Sequence, residues 1–148
     1  LSQLEELLKT LGPRLAPSAR RQLKAARRVE IMKPEDYIRE AGGLPLDVDA
    51  SATTPYLTRD FDQGATLKNV PYLVKDKAGT VTDHDGRNRM KAWSRVHTEP
   101  LPVIIKSVDD LSVPDAPTPG YDPEVGLASD MPDEWYDIAR KYLWTEID

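Results

Sequence analysis

The 148-residue sequence contains no cysteine. That absence excludes disulfides, thiolate metal sites and a cysteine nucleophile together, and it fits a reducing compartment. Only two histidines occur, His84 and His97, too far apart in sequence to make a local zinc pair. No apolar run approaches the roughly 18 residues of a membrane span, and no signal-peptide pattern opens the chain. A Walker-type Gly-x-x-x-x-Gly-Lys, a dinucleotide glycine pattern and a defensible Ser-His-Asp spacing are all missing. The hydrophobic fraction is a modest 39% and the prolines number 13, a balance that predicts a compact centre with extended, poorly packed flanks. The length suits one domain with a real core and is short for two ordinary ones. The first residue is Leu1 rather than Met, as expected of a piece of a longer protein.

Charge is present but unevenly placed. The net charge is −5, yet residues 1–33 carry eight Lys/Arg against three Asp/Glu, and residues 107–148 carry two against eleven. Such a gradient marks either different partners at the two ends or ends that attract each other.

Leucines at 4, 7, 8 and 11 have helical spacing, with Ser2 as cap, Glu5 three residues later and Gly12-Pro13 as the stop. A second helix is predicted from Ser18 to about Arg28. On it Arg20, Lys24, Arg27 and Arg28 share one face, a stripe that is either solvated or laid on nucleic acid. Met32 to Ile38 predicts a third short helix with Pro34 in its first turn and Gly42-Gly43 at its end. Residues 44–69 read as a loop with one short strand or helical turn, anchored by Tyr56-Leu57 and Phe61. A hairpin follows, with Val70–Val74 and Thr80–Thr82 as strands and Gly79 at the left-handed position of the loop. From Gly86 to about Val96 the period is helical, with Met90, Trp93 and Val96 or His97 on one side. Leu101–Ile105 reads as a buried strand. The strands flanking this helix are expected to be parallel and joined by a right-handed crossover. Pro114, Pro117, Pro119 and Pro123 predict an extended acidic arm. A closing helix from about Pro132 to Ile147 presents Trp135, Ile138 or Ala139, Tyr142 and Leu143, an apolar face that should dock on its own domain or on a partner, an oligomer included.

The segment between Thr82 and Met90 concentrates the chemistry. Gly86 lets the backbone approach a ligand at a helix N-terminus, where amides point outward with the positive dipole end behind them. Arg87 and Arg89 add fork-shaped donors suited to phosphate oxygens. Asp83 or Asp85 is a candidate Mg²⁺ ligand, and His84 a candidate general acid or base. The same residues also admit a purely structural reading, with Asp85 as a helix cap, the arginines paired to Asp83 and Asp85, and His84 bonded to a backbone carbonyl.

The run Val81 to Ala92, followed by Leu101-Pro102-Val103-Ile104-Ile105, resembles the ParB/sulfiredoxin-like superfamily. It is closest to the ParB-like domains of phage and mobile-element polyvalent proteins, whose pattern is roughly His-Glu-Gly-Arg-His-Arg-x-x-Ala. Here the matching positions are His84, Asp85 in place of Glu, Gly86, Arg87, Asn88 in place of His, and Arg89. Met32 to Tyr37 is similar to the short helix that often opens these domains. The resemblance implies an α+β fold: a small mixed sheet carrying a strand-turn-helix-strand phosphate-binding unit, with N-terminal helices and a C-terminal helix outside it. It divides the chain into a helical segment at 1–30, a ParB/sulfiredoxin-like domain at 31–110, and a Pro-rich arm with the last helix at 111–148. It implies that Gly86, Arg87, Asn88 and Arg89 hold nucleotide phosphates; a nucleotide-hydrolysing reading of the same residues adds Mg²⁺ at Asp83 or Asp85, with His84 and Asp85 as catalytic groups. Two departures limit it. Sulfiredoxins need a cysteine in this turn, and no helix-turn-helix pattern follows as in partition proteins. The expectations are therefore a nucleotide- or phosphate-binding domain of a phage or mobile-element protein, with or without NTP hydrolysis, against a nuclease-like domain or a non-catalytic module. Its place would be the cytoplasm of a bacterial host cell or the virion.

Overall fold

The computed structural model describes residues 2–46, 48, 51–108 and 131–144. Helix α1 (Gln3–Leu11) begins where the cap was expected: the Ser2 hydroxyl accepts a hydrogen bond from the Glu5 amide at 3.1 Å. Its leucine stripe buries Leu8 and Leu11. Gly12-Pro13 then tightens the chain into a single 3₁₀ turn, Gly12–Arg14.

Helix α2 (Pro17–Ala25) is shorter than predicted. Ala26 is already extended and the chain enters strand β1 (Val29–Met32), an element that the sequence reading missed. Tertiary pairing decides this, because Ile105 donates its amide to the Arg28 carbonyl at 3.0 Å and Val29–Met32 runs antiparallel to a later strand. The predicted basic stripe is thereby broken: Arg27 and Arg28 lie beyond the helix. Arg20 reaches the Leu143 carbonyl at 3.5 Å, and Arg28 pairs with Glu30 at 2.7 Å.

Helix α3 (Pro34–Glu40) has Pro34 in its first turn and Gly42 in the left-handed region beyond its end. Helix α4 (Thr53–Asp62) replaces the expected loop. Thr53-Thr54-Pro55 is a poor helical opening by propensity, but a proline in the first turn has no amide to satisfy. Seven residues apart on one stripe, Thr54 and Phe61 are both buried. Phe61 sets its edge on Trp93, with ring centroids 5.5 Å apart. Of the other expected anchors, Leu57 is half-buried against the core, whereas Tyr56 is 61% exposed.

Strands β2 (Tyr72–Lys75), β3 (Val81–Asp85) and β4 (Leu101–Ser107) complete the sheet in the order β1-β4-β2-β3. β2 and β3 form the expected hairpin, with Gly79 at positive φ. Between β3 and β4 comes helix α5 (Arg87–Val96), which buries Met90 and Trp93. One correction concerns direction. β4 is parallel to β2, the strand before the hairpin; β3, the strand that feeds α5, is antiparallel to β2 and separated from β4 by it. β3 therefore forms a sheet edge, and it runs to Asp85 instead of turning at Thr82.

Helix α6 (Asp133–Tyr142) docks on the chain's own N-terminal helices. Trp135, Ile138, Ala139, Leu143 and Trp144 join Leu8, Leu11, Leu23, Leu73, Trp93 and Val103 in one buried cluster. Burial of that face within the chain removes the reason for reading it as an oligomer contact. Residues Thr145–Asp148 and the proline-rich arm lie outside the described residues. The fold is α+β, with six α-helices and a four-stranded mixed sheet among the described residues.

Candidate functional site

Gly86 stands between the edge strand and α5 with φ +125°, ψ 10°, a conformation that L side chains rarely adopt. A Cβ there would lie 2.7 Å from Pro71 Cβ and 2.9 Å from Pro71 Cα. The close approach that requires glycine is thus made by the neighbouring proline. Beyond it the first turn of α5 is unusual. No side chain caps it, and it contains no acidic residue; Arg87 and Arg89 stand there instead. The Met90 amide is the first to bond back into the helix, to the Gly86 carbonyl at 2.9 Å. The amides of Arg87, Asn88 and Arg89 precede it and have no intrahelical acceptor.

The side chains of this turn differ in how fully they are engaged. Arg89, 17% exposed, donates to the Asn69 carbonyl at 2.8 Å and to the Asp85 carboxylate at 2.9 Å. Asn88 accepts from the Thr54 hydroxyl at 3.4 Å. Arg87 has no hydrogen-bond or ion-pair partner among the described residues, and its stem crosses Gly43 so closely that a Cβ at that position would overlap it. Of the predicted phosphate ligands, then, Arg87, the Asn88 side-chain NH₂ and the helix amides keep unused donors among the described residues.

The acid–base set is split by the strand. Successive residues of β3 point to opposite faces. Tyr72 pairs with Asp85, Leu73 with His84 and Val74 with Asp83. Asp83 and Asp85 therefore share a face with Tyr72 and Lys106, whose ammonium lies 4.1 Å from the Tyr72 ring centroid. His84 stands on the other face, beside Leu73. His84 and Asp85 cannot meet one reacting group without the strand end rotating. As Mg²⁺ ligands, Asp83 and Asp85 are a weak pair. Asp85 already compensates Arg89 and Asp83 accepts the His84 amide at 2.8 Å. No group of three or more His, Asp or Glu side chains is placed to hold a metal among the described residues.

Two tyrosines missed by the sequence reading complete the surroundings. Tyr37 is buried and donates to the Tyr72 carbonyl at 3.0 Å. Burial pushes its phenol above the ordinary value; the Arg89 guanidinium opposes this and the Asp85 carboxylate adds to it. Burial also raises Tyr72, reinforced by Asp85 and Asp83. Nothing in the local pattern of Pro34–Glu40 signals that Tyr37 reaches β2. Lys91, also missed, had a visible signal: it follows Arg87 by four residues and so shares its stripe.

No family model matches this sequence, and no curated protein or solved structure matches it either. The chemistry of the site is left to its own geometry.

Proposed function

We propose that the chain is a binding module for a phosphate-bearing ligand, a nucleotide first of all, held at the N-terminus of α5 by Arg87 and the amides of Arg87, Asn88 and Arg89. The observation that carries this reading is the uncapped first turn with two arginines and no acid in it. Cations at a helix N-terminus oppose the helix dipole and leave the free amides unsatisfied; an anion there reverses both penalties. The ParB/sulfiredoxin-like resemblance, with its phosphate-holding turn and phage or mobile-element setting, agrees with this reading and belongs to the proposal. Turnover does not, because His84 and Asp85 stand on opposite faces of β3. Nor does nucleic-acid cleavage, whose basic stripe is not assembled. No step is assigned to Mg²⁺.

Titration calorimetry with ATP, ADP, CTP and GTP in the presence of Mg²⁺ tests the reading. At least one is expected to bind, and Arg87→Ala should weaken it by at least about 1.5 kcal/mol, the lower range for a charge-assisted hydrogen bond. Absence of binding by all four at millimolar concentration overturns it. Arg89→Ala is the poorer probe, since it also orphans Asp85 and the Asn69 carbonyl.

A further inference from the structure

Lys91 is 1% exposed, and its ammonium donates to the Val48 carbonyl at 2.6 Å. Among the described residues no carboxylate pairs with it. A buried ammonium held by one neutral carbonyl is costly, and an apolar side chain of similar length at such a position is commonly neutral or stabilising. Among the described residues, then, an ammonium on a single neutral carbonyl lies one helical turn from the candidate site.

Its neighbours indicate what the group does there. Arg87 and Asn88 precede Lys91 by four and three residues, so each neighbours it on α5. Three neighbouring stretches meet them: Gly43 lies against Arg87 and Val48 on Lys91, both from the connection between α3 and α4, and Thr54 in the first turn of α4 bonds to Asn88. Leu44 and Val48 on the same connection are 43% and 40% exposed, and Leu46 between them is the partly buried residue that packs on the core. Val48 also donates its amide to the Pro45 carbonyl at 3.0 Å, so the Lys91 bond holds a formed turn.

We propose that Lys91 is a positioning residue of the anion site: by holding the Val48 carbonyl it fixes the α3–α4 connection, and with it the Gly43 backing of Arg87 and the Thr54 contact to Asn88. The proposal rests on the phosphate-binding reading above. Lys91 is too deeply buried to touch the ligand and acts through Arg87 and Asn88.

Lys91→Met keeps the stem and removes the bond. The melting temperature should stay the same or rise, amide exchange at Val48 should quicken about tenfold, and affinity for whichever of ATP, ADP, CTP or GTP the wild type binds should fall at least about fivefold. Lys91→Arg, which retains a charged donor, should recover part of both losses. Unchanged nucleotide affinity in Lys91→Met beside normal wild-type binding overturns the positioning role and spares the phosphate reading. A wild type that binds none of the four overturns the phosphate reading itself, and the positioning role with it; exchange at Val48 then still reports whether the bond holds the connection. If Lys91→Met fails to fold while Lys91→Arg folds and binds as the wild type does, Lys91 is a structural ammonium and the proposal also falls.

Discussion

Gly86 illustrates how one residue can carry two readings that only measurement separates. Its positive φ and the Pro71 contact are demands of the fold; its place before Arg87 is what the proposed anion site would use. Gly86→Ala combines left-handed strain with a 2.7 Å approach to Pro71, and each effect typically costs about 1–3 kcal/mol. Urea unfolding is expected to show a loss of at least about 2 kcal/mol. A variant of wild-type stability would mean that the glycine serves the ligand alone. The two arginines divide in the same way. Arg89 is bonded into the fold by the Asn69 carbonyl and Asp85, whereas Arg87 retains its donors.

Among the elements, α6 is attached by specific long-range bonds. Its last turn is tied to the start of α1, where the Glu5 carboxylate accepts from Tyr142 at 2.9 Å and from Lys141 at 3.2 Å. The Trp144 indole donates to the Arg20 carbonyl at 3.2 Å. The Tyr142 hydrogen bond, then the Lys141 ammonium, hold Glu5 below its ordinary pKa. A carboxylate whose folded pKa is depressed contributes stability above its unfolded value, and loses it as pH falls through the folded one. Docking of α6 should therefore weaken below about pH 4, where an ordinary Glu protonates. Glu5→Gln should weaken it at neutral pH and remove that acid dependence. Amide exchange in Asp133–Tyr142 reads both effects, and an exchange pattern identical to wild type across pH 3–7 would show that the apolar face alone holds the helix.

Across the whole molecule, the charge gradient between the ends suggests attraction of a basic start by an acidic finish. The described ion pair between them runs the other way, with Glu5 from the basic end and Lys141 from the acidic one. A second long-range tie lies at the far end of α5, where Arg14 meets Glu99 at 2.6 Å and the Trp93 indole donates to the Glu99 carbonyl at 3.1 Å. His97 sits on Trp93 with ring centroids 4.3 Å apart. Burial, and secondarily the Arg14 guanidinium, lower its pKa, with Glu99 opposing. The folded state thus favours neutral His97. This contribution is complete above the ordinary histidine value near 6.5 and declines as pH falls through the folded one. Thermal melts should show a decrease between pH 7 and pH 5 that His97→Gln reduces. An equal decrease in that variant would place the titration elsewhere.

Several features were legible in the chain because local physics determines them. Ser2 and Glu5 marked a helix start, Gly79 a hairpin loop, Gly86 a change of period, and Leu101–Ile105 a strand buried by its own composition. The α+β class followed from these. The features that were not legible depend on residues distant in sequence. Val29–Met32 is a strand because β4 lies beside it, which ends α2 early and breaks the basic stripe. Thr53–Asp62 is a helix because Thr54 and Phe61 find α5, against a weak local propensity. β4 pairs in parallel with β2, and because the hairpin sets β3 antiparallel to β2, β4 runs opposite to the strand that feeds α5. In the candidate site, sequence alone brought together Asp83 through Arg89. The tertiary structure then sorted them, because a strand that continues to Asp85 alternates its faces and Pro71 lies against Gly86. It left Arg87 with free donors and set Lys91 in the core behind it.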